Sequence, residues 1–373
     1  MQKQYSETVY LSWLSSCHLP LKTMTELLNT FGSGSEIFSA FLYHKNELLS
    51  AGTDPKVVMV MQQNAEEKVL DEFSKVIENQ AIFSLTQNNS GYPEMLKHIN
   101  DPPAVLFCRG NLSAIRNTCI SMVGSRNASF KGMAATEKIA CELSNHGITI
   151  VSGMADGIDS AAHKGCIRGG SPTVAVMGCG PDRIYPVSNS DLYTRILDNG
   201  GLILSEYAPL EKPLGWHFPL RNRIISGLSE AVLMMECRIR SGSMTTVRHA
   251  LDQGREVYAY PGETNTPWSE GSHQLLREGA GYFTCAADIL DDLGCLDKHE
   301  CSVQNNVCRQ DSDDLNPVQQ RIVNALKDGM LTFDEITART GIDTHELFTA
   351  LTVLMIKRII KAYPGKLYEL TVD

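Results

Sequence analysis

The sequence predicts an α/β protein with an extended Rossmann-like parallel sheet, a small helical domain before it and a winged-helix domain after it. Between residues 119 and 262, short runs of branched apolar residues alternate with stretches of helix-forming composition, the pattern of a parallel sheet covered on both faces. Apolar residues recur at helical spacing in residues 1–80. Residues 315–373 contain three amphipathic segments followed by a hairpin pattern, the order found in winged helices.

The first 80 residues predict a module of several short helices separated by tight turns. Helical apolar spacing is visible at residues 9–14, 24–28 and 57–61. Such modules are often sterile-alpha-motif-like or helix-hairpin-helix-like. The glycine-rich hairpin that would contact a DNA backbone is missing, because residues 17–21 (CHLPL) stand at its expected position. We therefore expect a docking or spacer role for this module.

Residues 81–290 form the predicted sheet domain, whose six central strands all end in small or polar residues. These strands are predicted at residues 119–123, 148–151, 173–177, 202–204, 231–235 and 256–260. A further strand is predicted at residues 105–108. In a parallel sheet the carboxyl ends of the strands lie on one edge, where ligands bind. We therefore expect the loops that follow these strands to form one site.

The loop after the second of these central strands leads through glycines into the start of a helix. Asp159 or Ser160 should cap that helix, because their oxygens accept the unpaired amides of the first turn. Free N–H groups and the positive helix end make such a loop a pocket for anions. The candidate phosphate ligands in this segment are Ser152, Gly153, Gly157, His163 and Lys164.

Two other loops carry residues suited to phosphate. A Gly-Ser-Arg turn follows the first central strand, where glycine allows close backbone approach and arginine can form two parallel hydrogen bonds to phosphate. A Ser-Gly-Ser segment precedes a helix N-terminus after the fifth strand, which again favours an anion. The candidate phosphate ligands in these loops are Gly124, Ser125, Arg126, Ser241, Gly242 and Ser243.

A predicted helix at residues 218–226 adds two arginines near the same edge. Pro219 suits its first turn. Arg221 and Arg223 are two residues apart and so lie on different faces, which would allow one to reach the ligand while the other braces a neighbouring carboxylate. Asn222 can hydrogen-bond a phosphate or a base. We count Arg221, Asn222 and Arg223 as candidate ligands.

No nucleotide cofactor is expected. Residues 241–246 (SGSMTT) lack the Gly-Lys-Ser/Thr end of a Walker loop. Gly178 and Gly180 lack the third glycine of a dinucleotide fingerprint, and no acidic partner for a ribose ends the second strand. NAD and ATP are therefore both disfavoured as cofactors.

The eleven cysteines are scattered, mostly within apolar stretches, which favours buried thiols in a reducing cytoplasm over a disulfide framework. No apolar run reaches the ~20 residues of a membrane helix, and the N-terminus lacks the pattern of a signal peptide. We expect a cytoplasmic protein with no membrane partner. A metal site is disfavoured because zinc sites usually contain tighter ligand pairs than Cys295, His299, Cys301 and Cys308.

The net charge of −10 argues against a protein that coats nucleic acid through bulk charge. Residues 81–290 carry 18 basic and 19 acidic side chains, so a local basic pocket is possible there. Residues 291–314 carry 2 basic and 7 acidic side chains and predict an acidic linker. In the predicted winged helix, the third helix (344–356) has few positive side chains, which favours a protein contact or a stabilising role over DNA reading.

The order and spacing of seven segments resemble the DNA-processing family known as DprA or Smf. These segments are VGSR, VSGMADGIDSAAHKG, VMGCGPDRIYP, LILSEYAP, FPLRNRIISGLSEAVLMMEC, RSGSMTTVRHALDQGREVYAYPGE and GSHQLLREGA. The resemblance covers residues 82–285, and the flanking modules fit the family's usual arrangement. It implies a dimeric protein that binds single-stranded DNA, loads the strand-exchange protein RecA during natural transformation, and is not an enzyme. Single-stranded DNA-binding protein is a further possible partner.

The resemblance also implies roles for particular residues. The DNA pocket would include Arg126 and Lys164, together with the glycines of the second loop and the Ser-Gly-Ser segment. Asp156 stands where many members have a neutral or basic residue, and a carboxylate beside phosphate costs affinity. The GSHQLLREGA helix would lie near the dimer interface, with the alternative that it only covers the sheet. Its candidate interface residues are His273, Leu275 and Leu276.

Two alternatives to a DNA-binding recombination mediator remain open. The sheet region more distantly resembles nucleoside-monophosphate phosphoribohydrolases of the lysine-decarboxylase-like type, whose PGGxGTxxE loop aligns with residues 241–249. The catalytic glutamate of that loop falls on His249, which favours binding over hydrolysis. The second alternative, suggested by the acidic net charge, is a scaffold that contacts only proteins.

Overall fold

The computed structural model describes residues 3–44, 48, 53–264, 266–294, 317–326, 329–343, 347, 350–351, 353–355, 359–363 and 367–370. The chain divides into two compact units, Met1–His299 and Glu300–Asp373. Most of the predicted linker at residues 291–314 falls outside the described residues, although a helix continues to Asp292. In the part of the chain that is described, no helix has the length and apolar character to cross a membrane.

The first 80 residues are helical where the structure describes them, as the apolar spacing predicted. The helices are α1 (Glu7–Ser16), α2 (Leu21–Phe31), α3 (Gly34–Tyr43), α4 (Pro55–Gln63) and α5 (Glu67–Gln80). The fully buried Trp13 ring lies 4.8 Å from the Phe38 ring, centroid to centroid. The hydrophobic core of these helices continues into Val105 and Phe107 of the sheet, so the helical segment packs directly on the sheet region.

The described part of the first unit contains a nine-stranded sheet in the order β1-β2-β6-β5-β4-β3-β7-β8-β9. Strands β3 to β9 pair in parallel, β2 pairs antiparallel with β6, and β1 pairs antiparallel with β2. The six predicted central strands and the strand predicted at 105–108 are confirmed, whereas β1 and β9 were not predicted. The strands are β1 (Phe83–Thr86), β2 (Val105–Gly110), β3 (Cys119–Val123), β4 (Thr149–Ser152), β5 (Thr173–Met177), β6 (Leu202–Ser205), β7 (Ala231–Met234), β8 (Glu256–Ala259) and β9 (Gly281–Tyr282).

Helices cover both faces of this sheet, so its central strands are buried on both sides and appear in the sequence as continuous apolar runs. One face packs Ile120 and Ile150 against Leu143, and the other packs Val151 and Val232 against a separate layer of helices. The helices of the sheet region are α6 (Glu94–Lys97), α7 (Phe130–Asn145), α8 (Ile158–Gly169), α9 (Ser190–Asp198), α10 (His217–Gly227), α11 (Met244–Asp252), α12 (Glu270–Arg277) and α13 (Ala286–Asp292).

The second unit contains a small helical core and a three-stranded sheet in the order β10-β12-β11. Thr332 caps its second helix, with the Glu335 carboxylate accepting the Thr332 N–H at 2.7 Å. The predicted hairpin is confirmed. The third predicted helix (344–356) lies partly outside the described residues. Within its predicted range, residues 350–351 and 353–355 are described as helical. The elements are α14 (Pro317–Leu326), β10 (Leu331–Thr332), α15 (Phe333–Thr340), β11 (Ile360–Tyr363) and β12 (Leu367–Leu370).

Candidate functional site

A cavity of about 600 Å³ opens at the carboxyl edge of the parallel sheet. The loops that follow β3, β4, β5, β6 and β7 surround it, and the start of α10 forms part of its wall. The expectation that these loops converge is therefore confirmed. Eight of the predicted ligands line the cavity: Gly124, Ser125, Arg126, Arg221, Asn222, Ser241, Gly242 and Ser243.

The turn after β3 holds Arg126 at the cavity mouth. A Cβ at Gly124 would lie 2.6 Å from Cγ1 of Ile158, so the close approach of the turn to α8 requires glycine. The Ser125 N–H donates to the carbonyl oxygen of Glu236 at 2.7 Å. The Arg126 side chain is exposed, and its guanidinium carbon lies 5.4 Å from the centroid of the Phe218 ring, a cation–π contact.

The start of α8 differs from the sequence prediction. Gly157, with φ +79°, is the N-cap residue, and a Cβ there would lie 2.4 Å from the carbonyl oxygen of Ser125. The prediction of Asp159 or Ser160 as N-cap is wrong, because both side chains have other partners. The Asp159 carboxylate accepts the N–H groups of Gly153 at 3.2 Å and Ala155 at 3.3 Å. The loop amides are therefore bonded by a side chain in the first turn of α8 and not by the N-cap residue.

Arg221 is buried in the wall of the cavity, with 4% of its surface exposed. Its guanidinium donates to the carbonyl oxygens of Gly153, which directly follows β4, and Val176, near the end of β5. Burial lowers the pKa of Arg221 to about 10, and the nearby Asp159 carboxylate acts in the opposite direction. Burial raises the pKa of Asp159, and Arg221 opposes that shift. Arg221 therefore stays charged near neutral pH, but its role is to join α10 to two strand ends.

Small polar groups line the cavity beside Arg221. The Asn222 side-chain amide donates to Oγ1 of Thr245 at 2.7 Å, which ties α10 to α11. The Ser241 and Ser243 hydroxyl oxygens lie 2.7 Å apart, and α11 begins at the next residue, Met244. The cavity thus combines hydroxyl groups with a helix N-terminus, an arrangement suited to an anion.

Six other predicted ligands do not line the cavity: Ser152, Gly153, Gly157, His163, Lys164 and Arg223. Ser152 is buried and donates to the carbonyl oxygen of Met122 at 2.7 Å. Arg223 is buried and pairs with the Glu206 carboxylate at 2.6 Å, the bracing role expected for one of the two arginines. Lys164 is exposed on α8. Asp156 is also exposed, where it accepts the Ser188 hydroxyl at 2.7 Å.

His163 is fully buried beneath the site. The Thr173 hydroxyl donates its proton to the Ile150 carbonyl oxygen at 2.6 Å. The Thr173 hydroxyl oxygen therefore accepts the Nδ1–H of His163, at 2.8 Å. Burial, together with the charge of Arg221, lowers the pKa of His163 to about 3. The imidazole is therefore neutral at physiological pH.

The sequence analysis missed two arginines and two aromatic residues that line the cavity. Arg238 and Arg240 are exposed after β7, and Asp159 supplies the only carboxylate among the lining residues. Phe218 and Tyr185 form a ring pair with centroids 5.4 Å apart. The basic residues at alternate positions directly before the Ser-Gly-Ser segment were a usable signal, because they follow a strand that ends at this edge.

The predicted dimer residues lie on α12. Leu275 is buried in the core of its own chain, and Leu276 packs against the same core. His273 is half-buried. Among the described residues, no group of three or more His, Cys, Asp or Glu side chains could hold a metal ion. The cysteines and histidine weighed as a zinc site (295–308) lie outside the described residues.

The fold and the cavity define an extended Rossmann-like protein whose arginine-lined site suits phosphate groups. The sequence model of the family "DNA recombination-mediator protein A" matches residues 83–294, and that of the DprA winged helix domain matches residues 309–366. The chain therefore belongs to the DNA recombination-mediator protein A (DprA) family, as the sequence motifs indicated.

Curated relatives and solved structures agree with this membership. The chain is 44% identical over 202 residues to DNA processing protein DprA of Streptococcus pneumoniae, covering 54% of this chain and 71% of the relative. It is 37% identical over 276 residues to protein Smf of Escherichia coli, covering 74% of each. The X-ray structure of the S. pneumoniae protein matches with a TM-score of 0.65 at 33% identity, covering 78% of this chain and 99% of that one.

A structure of DNA processing protein A from Helicobacter pylori also matches, with a TM-score of 0.52 at 29% identity. It covers 57% of this chain and 95% of the other, and a single-stranded DNA binding mode has been described for that H. pylori protein.

The buried state of His163 predicts a pH dependence of stability. Its folded-state pKa is lower than its ordinary value of 6.5, so the unfolded chain binds a proton first as pH falls. The unfolding free energy should therefore decrease by about 1.4 kcal/mol per pH unit as pH falls from 6.5 towards 3, from this residue alone. Urea unfolding of His163→Gln should show a shallower slope in that range. The exposed His146→Gln is the control, and an equal slope for wild type and His163→Gln would contradict the assignment.

Proposed function

We propose that this protein binds single-stranded DNA at the cavity on the carboxyl edge of its sheet and acts as a recombination mediator. The observation that carries the proposal is the presence of three exposed arginines, Arg126, Arg238 and Arg240, around one cavity. In the part of the chain that the structure describes, none of the three forms an ion pair with a carboxylate. Guanidinium groups of this kind bind phosphate with two parallel hydrogen bonds.

Exposed rings at the cavity support a preference for single strands. Tyr185 and Phe218 line the cavity, and Trp216, with 58% of its surface exposed, lies two residues before Phe218 in the chain. The bases of a single strand are free to stack on aromatic side chains, whereas a duplex keeps its bases paired and stacked internally. A site that combines arginines with exposed rings therefore favours single-stranded over double-stranded DNA.

Binding rather than catalysis is proposed because the cavity offers no carboxylate free to act as a base. Asp159 is buried and accepts two backbone N–H groups. His249 stands where the related phosphoribohydrolases have glutamate, and burial lowers the pKa of its imidazole. Incubation with nucleoside monophosphates should release no free base.

Membership of the recombination-mediator family supports a proposal about partners. We propose that the protein loads RecA onto the bound strand during natural transformation, in the cytoplasm and as a homodimer, and that single-stranded DNA-binding protein is displaced in the process. His273 on α12 stays a candidate dimer contact, and any dimer role of Leu275 would require it to leave the core of its own chain. The winged helix is proposed to contact protein rather than DNA.

Removing the Arg126 guanidinium should weaken binding of single-stranded DNA by roughly tenfold to a hundredfold, because a hydrogen bond to a charged group contributes about 1.5–3 kcal/mol. The slope of log affinity against log salt should fall by about 0.7, the value for one phosphate on a single strand. Fluorescence anisotropy with a labelled oligothymidylate measures both for Arg126→Ala. Lys164→Ala is the matched control, since Lys164 is exposed but does not line the cavity. Equal losses in the two variants would show that the cavity is not the binding site.

Replacing Trp216 by alanine should weaken single-strand binding by about tenfold, since stacking on one base contributes about 1–3 kcal/mol. Residual binding to duplex DNA, which depends on phosphate contacts, should stay unchanged. Competition between single-stranded and duplex oligonucleotides gives the selectivity ratio. Tyr43→Ala is the control, because Tyr43 is similarly exposed (63%) on the helical segment. A parallel loss on both DNA forms would refute the stacking role.

The mediator role is tested with RecA on single strands already covered by single-stranded DNA-binding protein. Adding this protein should shorten the lag before RecA hydrolyses ATP on the covered strand, and Arg126→Ala should restore the lag. If the protein binds the strand tightly but leaves the lag unchanged, the binding proposal stands and the mediator proposal is refuted.

A further inference from the structure

We propose that Glu236 is a positioning residue that orients Arg126 toward DNA, an inference that rests on the DNA contact proposed for Arg126. Glu236 follows β7 and is 5% exposed. Its carboxylate accepts the backbone N–H of Ser129 at 2.8 Å and the Ser129 hydroxyl at 2.6 Å. Its backbone carbonyl oxygen accepts the N–H of Ser125 at 2.7 Å. One residue therefore fixes both ends of the segment that carries Arg126.

The protein leaves room for this carboxylate at a specific point. A Cβ on Gly132 would lie 2.1 Å from the carboxyl carbon of Glu236 and 2.4 Å from each of its oxygens. The Ser129 hydroxyl also accepts the N–H of Gly132 at 2.9 Å, which makes Ser129 the N-cap of α7. The carboxylate thus lies against the positive end of a 16-residue helix, where negative charge is stabilised.

The partners of Glu236 are neutral donors. Among the residues that the structure describes, no ion pair includes Glu236. Burying a carboxylate without a cation has a free-energy cost that hydrogen bonds must offset. The carboxylate accepts both of its hydrogen bonds from Ser129, so the buried carboxylate orders the end of the Arg126 segment that enters α7.

The other contacts of the segment hold its backbone, while the exposed Arg126 side chain lies over the Phe218 ring. The Trp268 indole N–H donates to the carbonyl oxygen of Asn127 at 2.8 Å, and Gly157 approaches the Ser125 and Arg126 carbonyls from below. The long arginine side chain loses rotamer freedom when it binds phosphate. Holding its backbone in place reduces the additional entropy lost on binding, so we expect the effect of Glu236 on affinity to act through Arg126.

The test is a double-mutant cycle on single-strand affinity with wild type, Arg126→Ala, Glu236→Gln and the double variant. Glutamine keeps the shape of the side chain but presents an N–H₂ group to one of the Ser129 donors, so one end of the segment loosens. Glu236→Gln should weaken binding about fivefold or more in the wild-type background and less than about twofold in the Arg126→Ala background. Equal losses in both backgrounds would overturn the proposal, because a general structural defect does not depend on Arg126.

Ser129 provides a second pair of variants if Glu236→Gln does not fold, as judged by circular dichroism and thermal unfolding. Ser129→Thr keeps the hydroxyl and should bind the strand within about twofold of wild type. Ser129→Ala should bind the strand more weakly than wild type, and this loss of affinity should appear only when Arg126 is present. Loss of affinity in Ser129→Ala that persists without Arg126 would also overturn the proposal. An Arg126→Ala variant that binds as wild type would instead refute the DNA site itself, which separates the two failures.

Discussion

The buried guanidinium of Arg221 is the interaction on which the geometry of the site depends. Placing a charged arginine inside a protein is unfavourable unless its donors are satisfied, and here they bond to the carbonyl oxygens at the ends of β4 and β5. Gly153 must be glycine for this reason, because a Cβ would lie 2.7 Å from Nη2 of Arg221. The Phe218 ring centroid lies 5.9 Å from the guanidinium carbon of Arg221 and 5.4 Å from that of Arg126. The exposed arginine and the buried one therefore contact the same ring.

The same buried charge determines which residues can carry further positive charge. Near Arg221, burial and electrostatic repulsion keep His163 neutral, and Asp159 offsets the arginine from inside α8. A second basic side chain buried near Arg221 would have no carboxylate partner of its own. Basic side chains available to a phosphate ligand are therefore expected on exposed loops. Arg126, Arg238 and Arg240 satisfy that condition. A chain with a net charge of −10 can thus present a local cationic site without a basic surface.

The sequence predicted the central sheet and the convergence of its loops because strands buried on both faces form continuous apolar runs. It missed β1 and β9, which are short strands near the sheet edges and contain few apolar residues. The cap of α8 was mispredicted because capping preference is local, whereas Asp159 is drawn to the amides of Gly153 and Ala155 by the folded loop. The position of a residue after a strand does not tell which way its side chain points: Arg238 lines the cavity, whereas Lys164, exposed on α8, does not, and its DNA contact stays a prediction.

The helical segment contributes to the site through the chain between β6 and α10. Ala208 and Leu210 pack with the core of the helices. The backbone of the same stretch holds the loop after β5, since the Leu210 carbonyl oxygen accepts Nε of Arg183 at 3.0 Å and the Glu211 carbonyl oxygen accepts the Gly180 N–H at 3.0 Å. That loop presents Tyr185, and the stretch itself continues into Pro213, Gly215 and Phe218, which line the cavity. The part of the cavity wall that carries Tyr185 and Phe218 therefore depends on packing of the helical segment, so a change in that packing would reach the cavity through this stretch of backbone.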